Sequence, residues 1–278
     1  MKNPFSITAK RIIKDIIPPF FLRYFMTLAN VGIQLRGNYR SWGEAQKHSC
    51  GYDSDLILNM VKDALFKVKK GEAVYERDSV LFEKIQYSFP VLAALLRVAV
   101  ANNGYLSILD FGGSLGSSYY QCRGFLSDLK KLRWSIVEQQ NYVGCGKKLF
   151  EDDELKFYYT IDECLQCERP NAVLLSSVIQ YIEEPYALIE RLVECEFPYM
   201  IFDRTPFHPG KSDIITVQHV PKKIYLASYP FRIFSLTKFK KMFSDKYEII
   251  ADFDSNEFPA LVKFSAKYSG FILRRSKL

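Results

Sequence analysis

The stretch Ile108–Gln121, ILDFGGSLGSSYYQ, runs an apolar segment into an acid and then into bare backbone: Asp110, then Gly112, Gly113, Ser114 and Gly116. Glycines at the end of a strand let a ligand approach the main chain closely. A helix that starts just beyond them presents free N–H groups to an anionic group. That is chemistry for a nucleotide-like ligand. The dinucleotide pattern Gly-x-Gly-x-x-Gly fails, because Ser114 and Ser117 stand at its third and sixth positions counted from Gly112. A phosphate-cradling Walker loop needs a lysine, and this loop has none. The pattern present is acid-x-Gly-x-small-x-Gly, on Asp110, Gly112, Ser114 and Gly116. A second acid, Glu138, followed by Gln139, ends the next apolar run, SIVE. A carboxylate there can accept both hydroxyls of a ribose. It lies 28 residues after Asp110, more than the ~20 usual between such positions, which implies a long first helix.

The elements that must position these groups alternate. From residue 106 the pattern reads strand, helix, strand: LSILD, GSSYYQCRGFLSDLK, RWSIVE, NYVGCGKKLF, LKFYYT, DECLQC, NAVLLSS, EPYALIERLVE, YMIFDR. Such alternation predicts a doubly wound, mostly parallel α/β sheet with right-handed crossovers. A long connection, residues 205–235, follows Arg204. A helix, LTKFKKMFS, and two closing strands, YEIIADF and SGFILRR, bring the sheet to seven strands. Residues 41–105 read as a helical cap or lid with two helices, SDLILNMVKDALFKV and FPVLAALLRVAVANNG. The polar cluster Tyr75, Glu76, Arg77, Asp78 between them is either a solvated turn or a lid over a site. Residues 1–40 form a basic N-terminal segment, helical at least in KRIIKDII, where Ile12, Ile13, Ile16 and Ile17 share one stripe. The three regions are therefore 1–40, 41–105 and a ligand-binding domain over 106–278.

Charge sharpens that division. The net charge is +7, but residues 1–40 carry +6, the last sixteen residues +5 and the middle −4. A mildly acidic body with basic ends is not a nucleic-acid-binding stripe. The N-terminal cations and the run Phe20, Phe21, Tyr24, Phe25 suit peripheral contact with an anionic membrane surface, while packing on the domain is the competing reading. No run reaches the ~18 to 20 apolar residues of a membrane span, and the N-terminus lacks the pattern of a signal peptide. Six cysteines in 278 residues are not a disulfide framework. The single Cys164-x-x-Cys167 pair reads as small residues on a helix rather than as half of a zinc site. These features predict a reducing, cytoplasmic setting. The terminal Ser-Lys-Leu can act as a peroxisomal address, but nothing else in the sequence supports it.

The loop, the terminal acid of the second strand and the β/α order together resemble the Rossmann-like class of S-adenosylmethionine-dependent methyltransferases. The segments GYDSDLIL, GEAVYERDSVLF, LDFGGSLGSSYYQ, WSIVEQ, LLSSVIQYIEEPY and FDRTPF, over roughly residues 37–235, further resemble a family of bacterial methyltransferases encoded among surface-polysaccharide (O-antigen and capsule) genes. The resemblance implies S-adenosyl-L-methionine as cofactor, held by Asp110, Gly112, Gly113, Ser114, Gly116, Glu138, Gln139, Asp162, Ser176 and Ser177. Asp110 would meet the ligand amine, Glu138 the ribose and Asp162 the adenine amino group. Ser114 stands where the class more often has glycine. Gln180-Tyr181 stands where it commonly has an acid-His pair. The implied acceptor is a sugar or sugar-phosphate on a lipid-linked or nucleotide-linked glycan, met at the cytoplasmic face of the inner membrane. An inactive scaffold of the same fold, or an enzyme acting on protein or lipid, are the alternatives.

Methyl transfer to a hydroxyl needs alignment of the nucleophile and removal of its proton. Three candidates stand near the expected ligand mouth: His219 and His208 in the long connection, and Asp203 at the end of the fifth strand. Arg204 beside Asp203 could bind an anionic acceptor, or the two could form a structural ion pair. Tyr75, Arg77, Gln180, Tyr181 and Tyr229 are acceptor-side candidates. Tyr225, Tyr229 and Phe231 could stack on sugar rings or fill the core. Asp203 with His208 could ligate a divalent ion, but their spacing establishes no metal site, and none is assigned.

Overall fold

The computed structural model describes residues 33–51, 54–77, 79–221, 227–255 and 259–276. The N-terminal isoleucine stripe and its membrane reading, together with Asp78 and Tyr225, lie outside them. The seven anticipated strands are present: β4 (Tyr105–Phe111), β5 (Lys131–Val137), β6 (Leu155–Tyr158), β7 (Ala172–Ser176), β8 (Tyr199–His208), β11 (Tyr247–Asp254) and β12 (Lys267–Arg275). They lie in the order β6-β5-β4-β7-β8-β12-β11. The first five run parallel. The sixth position, β12, is antiparallel to both β8 and β11. This is a doubly wound, mostly parallel sheet of Rossmann-like type.

Strand parity divides the core. Leu106, Ile108, Trp134 and Ile136 face one layer, with Leu155 and Phe157. That layer is closed by four helices: α2 (Ser54–Lys69), α3 (Phe89–Ala101), α4 (Ser117–Leu126) and α5 (Gln140–Leu149). Leu109, Val137, Val173 and Leu175 face the other layer. It is closed by α6 (Ile161–Cys167), α7 (Pro185–Glu194) and α8 (Leu236–Lys241). The region expected as a cap is thus part of the main core, since Val61, Leu65, Leu92, Leu95 and Val98 belong to the same buried cluster as Ile108 and Trp134. The near-continuous apolar surface of FPVLAALLRVAV could not stand alone in water, and the sheet supplies its other half.

Two expectations are corrected. The long connection after Arg204 holds two strands beyond the seven expected, β9 (Ile214–Val220) and β10 (Ala227–Ser235). These pair antiparallel with each other and with β1 (Gln34–Tyr39), the end of the segment read as an N-terminal extension. The annex joins the main sheet where Phe234 and Ser235 run beside Phe207 and His208, so the sheet has ten strands instead of seven among the described residues. It stands beyond the carboxyl edge, because β8 continues past the end of β7 and β10 takes up the freed edge. The boundary at residue 40 is likewise not a structural one, since β1 depends on β9 for its hydrogen bonds. A short helix, α1 (Trp42–Lys47), capped by Ser41, follows β1. Residues 75–82 form a hairpin, β2 (Tyr75–Arg77) with β3 (Val80–Phe82), rather than a solvated turn.

Candidate functional site

The chain leaves β4 toward β5 on one side and returns to β7 on the other. In such sheets the crevice at this switch point, outside the carboxyl ends of the strands, is where ligands bind. The Gly112–Gly116 loop opens there. Gly112 has φ +71°, and a Cβ on it would meet Val178 Cγ2 at 2.3 Å. Ser114, at φ 55°, takes the same left-handed region without being glycine. Gly116, at φ 109°, starts α4 without any side-chain cap. The first N–H groups of α4 have no intrahelical partner and none from the N-cap side chain.

Asp110 is placed differently from expectation. Its parity sets it with Ile108 and Trp134, on the layer covered by α4. It is only 1 % exposed. Trp134 Nε1 donates to its Oδ2 at 2.9 Å, and a Cβ on Gly113 would lie 2.6 Å from the carboxylate. Burial, less the Trp134 hydrogen bond, with Glu138 adding to the rise and Arg204 opposing it, pushes the carboxyl up to about 7. The group therefore braces the loop from beneath. Trp134 was missed as a site residue. The signal was there: a buried indole N–H needs an acceptor, and Asp110 is the polar side chain on its face.

Glu138 directly follows β5 and is half-buried. Its Oε2 accepts from the Gln139 N–H at 2.7 Å, and burial raises its pKa. Gln139 itself is exposed at the start of α5. Asp162 is not drawn in: it stands exposed in the first turn of α6 and pairs with Arg191 of α7.

A tight polar knot forms where β7 ends beside β8, which does not stop at Asp203 and Arg204 as expected but runs on to His208. Ser176 Oγ donates to Asp203 Oδ2 at 2.9 Å, and Ser255 Oγ donates to Asp203 Oδ1 at 3.1 Å. Arg204 Nε lies 3.2 Å from Ser176 Oγ and 3.6 Å from Asp203 Oδ2. The Ser177 N–H donates to Asp203 O at 3.0 Å. Both Ser177 (φ 58°) and Arg204 (φ 51°) are left-handed. Two strained non-glycine residues side by side, one just past β7 and one within β8, are the kind of cost that functional sites carry. Gln180, fully buried, donates to Ser177 Oγ and to Arg204 O. Its Oε1 has no protein donor.

The annex adds a chain of polar groups. Tyr181 OH donates to Gln218 Oε1 at 3.2 Å, and Gln218 Nε2 donates to Tyr229 OH at 2.9 Å. The rings of Tyr181 and Tyr229 meet edge-on at 5.4 Å. Phe231 packs on Tyr181 and is wholly buried, so it serves the core. Gln218, which sequence reasoning passed over, is the link between the two tyrosines. Its neighbour His219 points to the opposite face of β9, because successive side chains alternate. His208 is also diverted from the proposed role of base: Nδ1 accepts the Gly210 N–H at 3.1 Å and Nε2 lies 2.8 Å from Ser212 O. With both ring nitrogens bonded to backbone, it pins the turn after β8.

On the other side of the loop, the hairpin reaches α4. Glu76, 1 % exposed, accepts from Ser117 Oγ at 2.6 Å and from the Ser79 N–H at 2.8 Å. A carboxylate at a helix N-terminus is favourable by about 0.3–2 kcal/mol. Tyr75 is buried and its hydroxyl accepts from Gln121 Nε2. Arg77 lies over the Phe82 ring, 5.7 Å from its centroid. Neither Tyr75 nor Arg77 is brought to Tyr181 and Tyr229 by any of these contacts. Cys164 and Cys167 are free thiols on α6.

No protein-family model matches the sequence, and neither does any curated protein. Solved structures overlap with the fold. The N-terminal domain of EvdMO1 with SAH bound does so at 11% identity and TM-score 0.45, over 82% of this chain and 98% of that one. Magnesium protoporphyrin IX methyltransferase from Synechocystis PCC 6803 with bound SAM does so at 15% identity and TM-score 0.43, over 82% and 99%. An S-adenosylmethionine-dependent methyltransferase from Clostridium acetobutylicum ATCC 824 does so at 11% identity and TM-score 0.42, over 67% and 91%. Overlap at this level assigns neither ligand nor activity to this chain.

Proposed function

We propose that the protein is an S-adenosylmethionine-dependent methyltransferase that O-methylates a sugar or sugar-phosphate in bacterial surface-polysaccharide synthesis. One observation carries the reading: a bare loop at the switch point, braced from below by Asp110 and Trp134, opens onto a helix N-terminus whose N-cap is a glycine, with the Glu138 carboxylate just past the next strand. That set fits the cofactor. The α4 N–H groups suit a carboxylate, the glycines admit close contact, and Glu138 suits a pair of ribose hydroxyls. When bound, the cofactor supplies an electrophilic methyl group on a sulfonium.

The chain's own residues supply the rest. Asp203 is the proton acceptor in this reading, because it is joined to the Ser176 hydroxyl at the end of β7, whereas both His208 nitrogens are held by backbone and His219 lies on the face of β9 opposite Gln218. Ser176, bonded to both Asp203 and Arg204, relays between carboxylate and acceptor hydroxyl. Tyr181, Gln218 and Tyr229 present hydroxyl and amide groups at the same edge, suited to a polyhydroxylated acceptor. The sequence resemblance supports the polysaccharide setting and work on the cytoplasmic side of a membrane. Among the described residues no helix is long and apolar enough to cross one.

Calorimetry with S-adenosylmethionine tests the cofactor half. Intact protein binds, and Glu138→Ala loses about 1.5–3 kcal/mol, as for a charged hydrogen bond. No binding to the intact protein at millimolar ligand would favour a scaffold of the same fold. Mass analysis of surface glycan with and without the protein tests the acceptor: a missing methyl on a sugar is the expected difference.

A further inference from the structure

The annex carries a second group of side chains that the transfer site does not use. Arg36 comes from β1, His219 from β9 and Lys263 from the 3₁₀ turn Pro259–Phe264. In the ladder Gln34 is the partner of His219, and Arg36 that of Val217. Alternation therefore puts Gln34, Arg36 and His219 on one face, and Leu35 with Gln218 on the other. Arg36 is held in place by Gln34, whose Oε1 accepts from its Nε at 3.1 Å and from a terminal guanidinium nitrogen at 2.6 Å. Lys263 Nζ donates to Leu35 O, which sets the ammonium against the backbone between Gln34 and Arg36. Arg36 and Lys263 are exposed and His219 is half-buried, so a ligand can reach all three.

No carboxylate answers these charges among the described residues. The charged groups acting on His219 are Arg36 and Lys263, and the one acting on Lys263 is Arg36. Burial first, then those cations, pull His219 below its usual value, and the same causes lower Lys263. Like charges assembled without a counter-charge are unfavourable on their own and become favourable around an anion.

We propose that Arg36, His219 and Lys263 form a binding site for a phosphate group. The arginine fork matches phosphate oxygens in pairs, the lysine adds a point charge, and the imidazole adds a further donor. Phosphate could come from a soluble phosphate ester or from a lipid headgroup, and the chemistry of recognition is the same for both. The site is independent of the transfer reaction and can exist whether or not the proposed function holds.

The test uses the full chain. Inorganic phosphate is titrated while the His219 ring signals are followed by NMR across pH. Bound phosphate should raise the His219 pKa by about one unit, as an opposite charge within hydrogen-bonding range does. The variants Arg36→Gln and Lys263→Gln should each weaken phosphate binding about tenfold, the equivalent of one charged hydrogen bond. S-adenosylmethionine binding should not change in either. Co-sedimentation with phosphatidylglycerol and phosphatidylcholine vesicles separates the sources. Pelleting with the anionic vesicles alone, lost in the Arg36→Gln/Lys263→Gln double variant, identifies a headgroup. Phosphate binding without variant-sensitive pelleting identifies a soluble ester. If phosphate leaves His219 unmoved, or binds both single variants as tightly as the intact protein, the site does not exist.

Discussion

The two sides of the carboxyl edge are built in opposite ways. On the β4–β5 side one heptapeptide, Asp110–Gly116, carries nearly the whole construction: acid, turn glycines and helix start follow one another in sequence. On the β7–β8 side most of the bonds join distant stretches. Asp203 is held by Ser176 from 27 positions before it and Ser255 from 52 after it, and Tyr181 is tied through Gln218 to Tyr229 across the annex. In the proposed reading the first side receives a constant ligand, which a short motif can serve, and the second meets the acceptor, which suits assembly from surrounding strands and loops where residues vary without disturbing the motif.

Variants that act on one side and spare the other would sharpen this contrast. The largest effect is expected from Asp203→Asn, which should cut glycan methylation by about 10²–10⁴-fold if the carboxylate takes the proton. Cofactor affinity measured by calorimetry should be unchanged. His208→Gln should leave methylation within the range of a mild structural change; a loss as deep as that of Asp203→Asn would return the base to His208. Next comes Gly112→Val. It forces a branched residue to φ +71° against Val178 and should cost roughly 2–4 kcal/mol of stability, with cofactor binding abolished. Normal binding in that variant would remove the ligand from the loop.

Trp134→Phe should follow, at about 1–3 kcal/mol in urea unfolding, because it strips a buried carboxylate of its donor. The loss should be much smaller in an Asp110→Asn background. The same carboxylate sets a pH dependence. With its folded value near 7 against 3.8 unfolded, the native state holds a proton that the unfolded chain has released between those values. Stability contributed by Asp110 is therefore highest below about pH 4 and falls, at up to about 1.4 kcal/mol per pH unit, as pH rises toward 7. Melting curves from pH 5 to 8 should show a shallower fall in Asp110→Asn than in the intact protein. The smallest effect is expected from Tyr181→Phe, about 0.5–1.5 kcal/mol, seen in acceptor methylation and not in cofactor affinity.

Local pattern settled a good deal. The seven main strands, their order of appearance and the loop at the end of β4 follow from alternation, apolar runs and glycine placement, because these are properties of consecutive residues. The strand that leads to Glu138 was legible for the same reason, and Glu138 directly follows it. What only the tertiary structure decided is which side chains face one another. Parity around Trp134 turned Asp110 inward, a single step along β9 exchanged His219 for Gln218, and two backbone contacts took His208 out of play. Asp162 found Arg191 on the next helix. The pairing of β1 with β9 joined stretches about 180 residues apart. Spacing along the chain carries no information about such partners, since register and burial arise only when distant segments compete for the same edge or the same face.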